Sequence, residues 1–238
     1  MSPLKPRLFL LDVEGTITPL SLIYEQLVPY ARSHFAQFLR QRGGDAAIVG
    51  DLTLLAEENR ADVEKTRPTF NDPQDPEAGL PYIEWLMELD RKSTALKSLQ
   101  GRIWKGGFEK GELKGTLFAD VPPALERWSS HGQVAIYSSG SVAAQLLLFR
   151  YSTFGDLTPL IAGYFDTRAG LKTASASYEA IAMAMNVQTR ETIFFSDVVR
   201  ELDAAKAADC QTRLVMREGN AAVEDAHGHV RIKSFAGI

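Results

Sequence analysis

The sequence predicts an α/β fold: a doubly wound, mostly parallel sheet with a helical cap subdomain inserted into it. Residues 7–11 form a short apolar run that ends in an acidic turn, which is typical of a buried strand. Residues 20–117 then show mainly helical periodicity, which is far more chain than a simple βαβ crossover requires. From residue 120 onward, short apolar strands alternate with helical segments, the pattern of a parallel sheet covered by helices.

The inserted segment begins with a predicted helix over residues 20–40, where apolar side chains recur at helical spacing. Pro29 is expected to kink or interrupt this helix, because proline lacks the N–H group that continues the hydrogen-bond ladder. Gly43 and Gly44 are expected to end the helix, and Asp45 can cap the one that follows.

The rest of the insert is also expected to be helical. Apolar positions between residues 48 and 56 predict a second amphipathic helix, and the proline-rich residues 66–81 predict a loop. Residues 82–104 predict a third helical region, which the glycines between residues 101 and 115 are expected to break.

The remainder of the chain predicts the doubly wound core. Strands are expected at residues 134–137, 192–195 and 213–216, and helices at residues 122–130, 142–149, 178–185 and 199–208. We therefore expect a core domain made of residues 1–19 and 118–238, and a helical cap domain of residues 20–117 that covers the site.

Composition narrows the class of protein. The chain has 238 residues, of which 45% are apolar, enough for one large domain or a core with an insert. No run approaches the roughly 20 apolar residues of a membrane helix, and the first residues do not resemble a signal peptide. The single cysteine, Cys210, indicates a reducing compartment, and the net charge of −4 is spread along the chain without a basic stripe. We expect a soluble cytoplasmic protein that binds neither nucleic acid nor membranes.

The first candidate site residues are Asp12 and Glu14, followed by Gly15 and Thr16. A carboxylate buried at the end of a strand needs a partner charge or a function, and this edge of a parallel sheet is where α/β proteins place their sites. Asp12 is a candidate nucleophile that accepts a phosphoryl group, and also a candidate Mg²⁺ ligand. The backbone carbonyl of Glu14 can bind the metal, and its side chain can act as a general acid or base. The simpler interpretation is a strand followed by an acidic turn.

A second element, Ser138 and Ser139 with Gly140, follows the strand predicted at residues 134–137. Hydroxyl groups and backbone N–H groups at a strand end and helix start can bind an anion such as phosphate. The simpler interpretation is a helix cap supplied by Ser141.

Two further elements complete the pattern. Lys172 can neutralise phosphate charge, although a single lysine is usually a surface residue. Asp197 ends the apolar strand at residues 193–195 and is a candidate metal ligand, the alternative being a helix cap. Glu201, one helical turn later, could hold a metal-bound water or orient Lys172. The joint order of the four elements predicts a metal-dependent phosphoryl-transfer site.

That order resembles the haloacid dehalogenase superfamily over essentially the whole chain, and within it the enolase-phosphatase E1 family. The segments that carry the closer resemblance are residues 12–19, 99–104, 137–141 and 163–167, together with Lys172, Ser177 and Tyr178. Three positions depart from the usual pattern, namely Ile17, Arg102 and Glu218. None of these removes a phosphatase residue, but Arg102 leaves substrate recognition by the cap open.

The resemblance implies a bifunctional enzyme of methionine salvage with a small-molecule phosphate substrate. It would enolise 2,3-diketo-5-methylthiopentyl-1-phosphate and then release phosphate, giving 1,2-dihydroxy-3-keto-5-methylthiopentene. It further implies one Mg²⁺ per chain and a monomer.

The residue that takes the proton from the substrate carbon stays open between Glu14 and Asp12. One alternative function is a phosphatase of another small phosphate without enolisation. Another is a phospho-accepting receiver domain, which the position of Asp12 on the first strand and the large insert disfavour.

Overall fold

The computed structural model describes residues 5–91 and 93–238. The chain divides into two compact units. The first contains the residues up to Ile23 together with Lys114–Ile238, and the second is Tyr24–Leu113. In the described part of the chain, no helix combines the length and the apolar character that crossing a membrane requires.

A six-stranded sheet forms the centre of the first unit, with the strand order β3-β2-β1-β4-β5-β6 and every neighbouring pair parallel. The strands are β1 (Leu8–Leu11), β2 (Gln133–Tyr137), β3 (Gly163–Phe165), β4 (Thr192–Ser196), β5 (Gln211–Val215) and β6 (Val230–Ile232). The order runs outward in both directions from β1, so the topological switch point lies at this strand. The predicted doubly wound, parallel α/β sheet is confirmed.

Helices cover both faces of the sheet, which explains why β1 is apolar throughout. The helices of this unit are α5 (Val121–Ser129), α6 (Val142–Arg150), α7 (Ser175–Ala184) and α8 (Val199–Ala207). Successive side chains of β1 alternate between the faces. Leu8 and Leu10 join a buried cluster with residues of α7 and α8, whereas Phe9 stacks on Trp128 of α5 at 4.9 Å.

The edge strand β6 was not predicted from the sequence. It pairs with β5, and the chain before it is held to the core by His229. The imidazole Nδ1 lies 2.7 Å from Thr212 Oγ1 and Nε2 lies 3.0 Å from Asp203 Oδ1. Both ring nitrogens of this buried histidine are therefore used in fastening the C-terminal segment.

The second unit is helical. A π-helix at Leu22–Leu27 leads into α1 (Val28–Arg42), which is followed by α2 (Ala46–Ala61), α3 (Leu80–Glu88) and α4 (Thr94–Glu109). Pro29 lies in the first turn of α1, where its missing N–H has no helical partner in any case. The single helix predicted over residues 20–40 is therefore divided at Pro29 into a π segment and an α segment. Side chains from all four α-helices form one buried core.

The third predicted helical region, residues 82–104, consists of two helices. Helix α3 ends at Glu88, Asp90 takes a left-handed backbone conformation with φ of 47°, and α4 begins after Ser93. Ser93 caps the new helix by accepting a hydrogen bond from the Leu96 N–H at 2.9 Å. The Glu58 carboxylate adds a second cap by accepting the N–H of Thr94 at 3.0 Å. The new helix start is stabilised by a side chain far away in the sequence.

The expectation that glycines break the helix is wrong for Gly101, Gly106 and Gly107, because α4 continues through them to Glu109. Gly111 lies just beyond the end of the helix, with a φ of +75°. A helical glycine costs about 1 kcal/mol relative to alanine, which packing can offset. At Gly107 the reason is visible: a Cβ atom would lie 2.7 Å from Cζ of Tyr30. The missing side chain makes room for the tyrosine ring.

Candidate active site

The acidic residues predicted as a site lie at the carboxyl edge of the sheet. Asp12 follows β1 and donates its backbone N–H to Phe195 O of β4 at 3.0 Å. Asp197 follows β4, and Ser138 follows β2, on the other side of β1. Parallel strands end at the same edge, so residues more than one hundred positions apart in the sequence meet there.

The loop after Asp12 is a tight turn around one carbonyl group. The N–H groups of Thr16, Ile17 and Thr18 all donate to Val13 O, at 3.2, 3.0 and 3.1 Å. Gly15 has a φ of +72°, which favours glycine. A Cβ atom on Gly15 would also lie 2.9 Å from Asp197 Cγ, so this position requires glycine for two reasons.

Asp12 is buried, and both of its carboxylate oxygens have partners. Lys172 Nζ lies 2.5 Å from Oδ1, while Oδ2 accepts hydrogen bonds from Ser196 Oγ at 3.3 Å and Thr16 Oγ1 at 3.5 Å. These contacts hold the carboxylate in one orientation, as a nucleophile at a fixed site requires.

Lys172 bridges two carboxylates. Its Nζ lies 2.6 Å from Oε2 of Glu201 in addition to the contact with Asp12. Burial alone would lower the pKa of this lysine, but the neighbouring carboxylates of Asp12 and Glu201 outweigh it and raise the pKa. Lys172 therefore stays positively charged, and the structure assigns Glu201 a hydrogen-bonded contact with it.

The backbone near Lys172 is held by a buried tyrosine. The Tyr178 hydroxyl lies 2.7 Å from the carbonyl oxygen of Lys172 and 3.0 Å from that of Glu201. Its single proton can be shared between these two acceptors. This hydroxyl ties the Lys172 segment to α8, and so to the carboxylate that the lysine binds.

Asp197 does not cap α8, since the residue at the cap position is Val198. Its Oδ2 accepts a hydrogen bond from Asn220 Nδ2 at 3.0 Å, whereas its Oδ1 is buried and has no hydrogen-bond partner among the described residues. Burial, and next the charge of Asp12, raise the pKa of Asp197 to about 7. An orphaned carboxylate oxygen beside a second carboxylate is the arrangement that a bound cation would satisfy.

Glu14 faces Ser138 across the site. The Ser138 hydroxyl lies 3.4 Å from Glu14 Oε2 and accepts the N–H of Gly140 at 2.9 Å. Burial and the neighbouring Asp12 raise the pKa of Glu14. A buried carboxyl group with a raised pKa is suited to take up and release a proton in acid–base catalysis.

The two serines that follow β2 differ in position. Ser138 is buried and Ser139 is exposed at the same edge of the sheet. Ser141 caps α6, its Oγ accepting the N–H of Ala144 at 3.3 Å, as the simpler interpretation of this segment held. The N–H of Val142 is already bound by the Asp166 carboxylate at 3.3 Å. Ser138 and Ser139 therefore lie at the carboxyl edge of the sheet, just before the start of α6.

The residues present fit a hard divalent cation. The side-chain donors are the carboxylates of Asp12 and Asp197, and Glu14 can add its backbone carbonyl; oxygen sets of this kind suit Mg²⁺. The described residues contain no group of three or more His, Cys, Asp or Glu arranged to hold a metal ion. Such a site would therefore combine two carboxylates with a backbone oxygen and water.

Asn220 and Arg217 also lie at this site, although the sequence pattern did not predict them as site residues. Both lie after β5, where the chain reaches the same edge of the sheet. Asn220 Nδ2 binds Gly15 O at 2.8 Å as well as Asp197, and Arg217 Nε binds Thr16 O at 2.9 Å. The signal that could have found them is their place just beyond the strand that follows Asp197.

The fold and the site define a hydrolase of the haloacid dehalogenase-like class, and the haloacid dehalogenase-like hydrolase family matches residues 6–209. Enolase-phosphatase E1 of Synechococcus elongatus is 49% identical over 223 residues, which cover 93% of each chain. The UTR4 protein of Saccharomyces cerevisiae has a crystal structure that matches with a TM-score of 0.80 and 33% identity, over 98% of this chain and 100% of its own.

A third relative, from Physcomitrium patens, is a probable bifunctional methylthioribulose-1-phosphate dehydratase/enolase-phosphatase E1. It is 39% identical over 95% of this chain and 47% of its own length. The chain belongs to the enolase-phosphatase E1 family. The family predicted from the sequence motifs is thereby confirmed.

Proposed function

We propose that this protein is the bifunctional enolase-phosphatase of methionine salvage. It converts 2,3-diketo-5-methylthiopentyl-1-phosphate and water to 1,2-dihydroxy-3-keto-5-methylthiopentene and phosphate. The observation that carries the proposal is the cluster of Asp12, Lys172 and Asp197 at the switch point of the sheet, with one oxygen of Asp197 buried and without a hydrogen-bond partner among the described residues. Its family membership supports the same reaction.

The name of the Physcomitrium relative supports this choice of substrate. That protein is named as joining a methylthioribulose-1-phosphate dehydratase to an enolase-phosphatase. Loss of water from a 2-keto sugar phosphate with hydroxyl groups on the next two carbons gives a 2,3-diketone that keeps its 1-phosphate. The diketone formed in this way is the compound that the second activity would enolise.

In the first step, a carboxylate removes a proton from C1 of the substrate, the carbon between the phosphate oxygen and a carbonyl group. We assign this step to Glu14, because Asp12 is the nucleophile of the second step and has to remain unprotonated for it. The electron pair of the broken C–H bond moves to the carbonyl oxygen, which takes up a proton from solvent, and the enol forms. The raised pKa of Glu14 makes it a stronger base than an exposed carboxylate.

In the second step, an Asp12 oxygen attacks phosphorus and the bond from phosphorus to the C1 oxygen breaks. Glu14 returns its proton to the leaving oxygen, and an aspartyl-phosphate remains on Asp12. Lys172 stays charged and neutralises the phosphoryl oxygens, with Ser138 and Ser139 binding them. Water then hydrolyses the aspartyl-phosphate, which restores Asp12 and releases phosphate.

Mg²⁺ is the proposed cofactor, one ion per chain, with Asp12, Asp197 and the Glu14 carbonyl as its protein ligands. When bound, it would neutralise negative charge on the phosphate as the anionic nucleophile approaches. We further propose that residues 20–117 serve as the cap domain and residues 1–19 and 118–238 as the catalytic core. We also propose a monomer located in the cytoplasm, and the single cysteine fits a reducing compartment.

The decisive experiment follows ultraviolet absorbance and phosphate release together after mixing enzyme, Mg²⁺ and the diketo phosphate. We expect the absorbance of the conjugated enol to rise before phosphate appears. Asp12→Asn should abolish phosphate release, and Glu14→Gln should slow the absorbance rise. Phosphate release at the normal rate without any enol would leave a plain phosphatase of the same family instead.

A further inference from the structure

The loop after β5 brings residues 217–220 against the turn at residues 13–18. The reaction described above uses none of these four residues. We propose that Asn220 is a positioning residue that orients the Asp197 carboxylate for the divalent cation. This inference rests on the proposed Mg²⁺ site, and it names the residue that prepares the Asp197 carboxylate for the cation.

The amide group of Asn220 uses both of its N–H bonds. One points to Asp197 Oδ2 at 3.0 Å and the other to Gly15 O at 2.8 Å. The first contact takes one oxygen of Asp197 and leaves Oδ1 buried with no partner among the residues described. Asn220 therefore determines which oxygen of Asp197 is left for a cation and prevents the carboxylate from rotating.

The neighbouring backbone completes this orientation. Thr16 Oγ1 accepts the backbone N–H of Asp197 at 3.1 Å, so the turn binds the backbone of Asp197 directly and its carboxylate through Asn220. A Cβ atom at Gly15 would lie 3.0 Å from Asn220 Nδ2 and 2.9 Å from Asp197 Cγ. Gly15, Asn220 and Asp197 are thus in direct packing contact, and a shift of one displaces the others.

Asn220 is itself held firmly by Arg217. The Arg217 guanidinium binds Thr16 O through Nε at 2.9 Å and both oxygens of Asp120 through Nη1 at 3.0 Å. It lies over the rings of Phe118 and Phe235, at 4.4 and 4.8 Å from their centroids. The Asn220 N–H then bonds back to Arg217 O at 3.3 Å. The amide is carried on a rigid support, as a group that orients a metal ligand needs to be.

A neutral amide suits this position better than a carboxylate would. The site already contains Asp12, Glu14, Asp197 and Glu201, with Lys172 as the cation between two of them. A donor without charge can hold Asp197 without adding to the repulsion or competing as a metal ligand. An acidic side chain at this position would place a second hydrogen-bond acceptor against the Asp197 carboxylate, which also only accepts hydrogen bonds.

The test measures Mg²⁺ binding to the substrate-free protein by isothermal titration calorimetry. Asn220→Ala removes the amide, and Asn220→Leu removes the donors while keeping the volume. Loss of a partner that orients a metal ligand typically weakens metal affinity about 10–100-fold, and we expect that range for both variants. The control is Glu218→Ala, an exposed position of the same loop, which should bind Mg²⁺ like the wild type. Circular dichroism establishes that each variant is folded.

A second readout separates positioning from a general structural role. Turnover of both Asn220 variants should recover as Mg²⁺ is raised, because the defect is in affinity. Folded Asn220 variants that bind Mg²⁺ as tightly as the wild type would overturn the inference while leaving the proposed function intact. A wild type that binds no Mg²⁺ at all would overturn both, since the proposed cation site would then be absent.

Discussion

Replacement of Lys172 by methionine tests the central electrostatic arrangement of the site. The ammonium group lies 2.5 Å from Asp12 and 2.6 Å from Glu201, and only 11% of the lysine side chain is exposed. At an effective dielectric constant of about 20, each contact is worth about 6 kcal/mol before the cost of desolvation. Methionine keeps the length of the side chain but leaves two buried carboxylates without their cation.

The net effect is smaller than the Coulomb term, because burying the charges was itself costly. Removal of one partner from a buried ion pair typically lowers the free energy of unfolding by about 3–5 kcal/mol, and we expect that range here. We also expect kcat to fall about 10²–10³-fold, as when a group that stabilises transition-state charge is removed. Loss of the lysine charge should raise the pKa values of Asp197 and Glu201 further, moving the acidic limb of the pH–rate profile to higher pH.

Urea unfolding monitored by circular dichroism in EDTA measures the stability term, and phosphate release at saturating Mg²⁺ measures kcat. The matched control is Lys105→Met, which removes the exposed pair with Glu109 at 3.7 Å. An exposed pair contributes about 0–1 kcal/mol, so this variant should unfold almost like the wild type. If Lys172→Met loses less than about 1 kcal/mol, as an exposed pair does, the bridging role of the lysine is refuted.

Two further predictions concern stability. In α4, Gly106→Ala should raise the free energy of unfolding by about 0.5–1 kcal/mol through helix propensity, because its Cβ would meet nothing within 4 Å, whereas Gly107→Ala should lower it by displacing the Tyr30 ring. Thermal unfolding of the two variants side by side measures this difference, and equal shifts would contradict the packing argument. Asp120 is bound by the Phe235 N–H and by Arg217, which outweigh burial and lower its pKa. Its stabilisation is therefore present above pH 3.8 and lost as pH falls through the lower folded pKa; Asp120→Asn should remove this acid-dependent part of the unfolding curve. An acid limb that is unchanged in the variant would show that other groups account for it.

The pairing of Lys172 with Asp12 shows how far the sequence alone could predict the site. Asp12, Ser138 and Asp197 were each recognisable because each follows an apolar strand, and parallel strands end at one edge. Lys172 follows no strand directly, and it entered the prediction only through its place in the joint order. The structure adds that its side chain bridges Asp12 and Glu201.

Other features depend on contacts that no local pattern encodes. Asn220 lies 205 positions from Gly15 in the sequence and only 2.8 Å from its carbonyl oxygen in the fold. Glycine has a low helix propensity, yet α4 continues through Gly107, where the Tyr30 ring occupies the space that a side chain would fill. Pro29 was expected to kink or interrupt a helix, and the structure places it in the first turn of α1, where proline is tolerated.

The sequence by itself determined the α/β class, the place of Asp12 and Glu14 after the first strand and the kind of chemistry, because strand periodicity and the residue types at strand ends are local properties. The tertiary structure decided which oxygen of Asp197 has no hydrogen-bond partner among the described residues, which carboxylates share Lys172, and which segment binds the turn at residues 13–18. Those outcomes depend on distances between side chains that are far apart in the chain, and they become defined only when the sheet brings its carboxyl edge together.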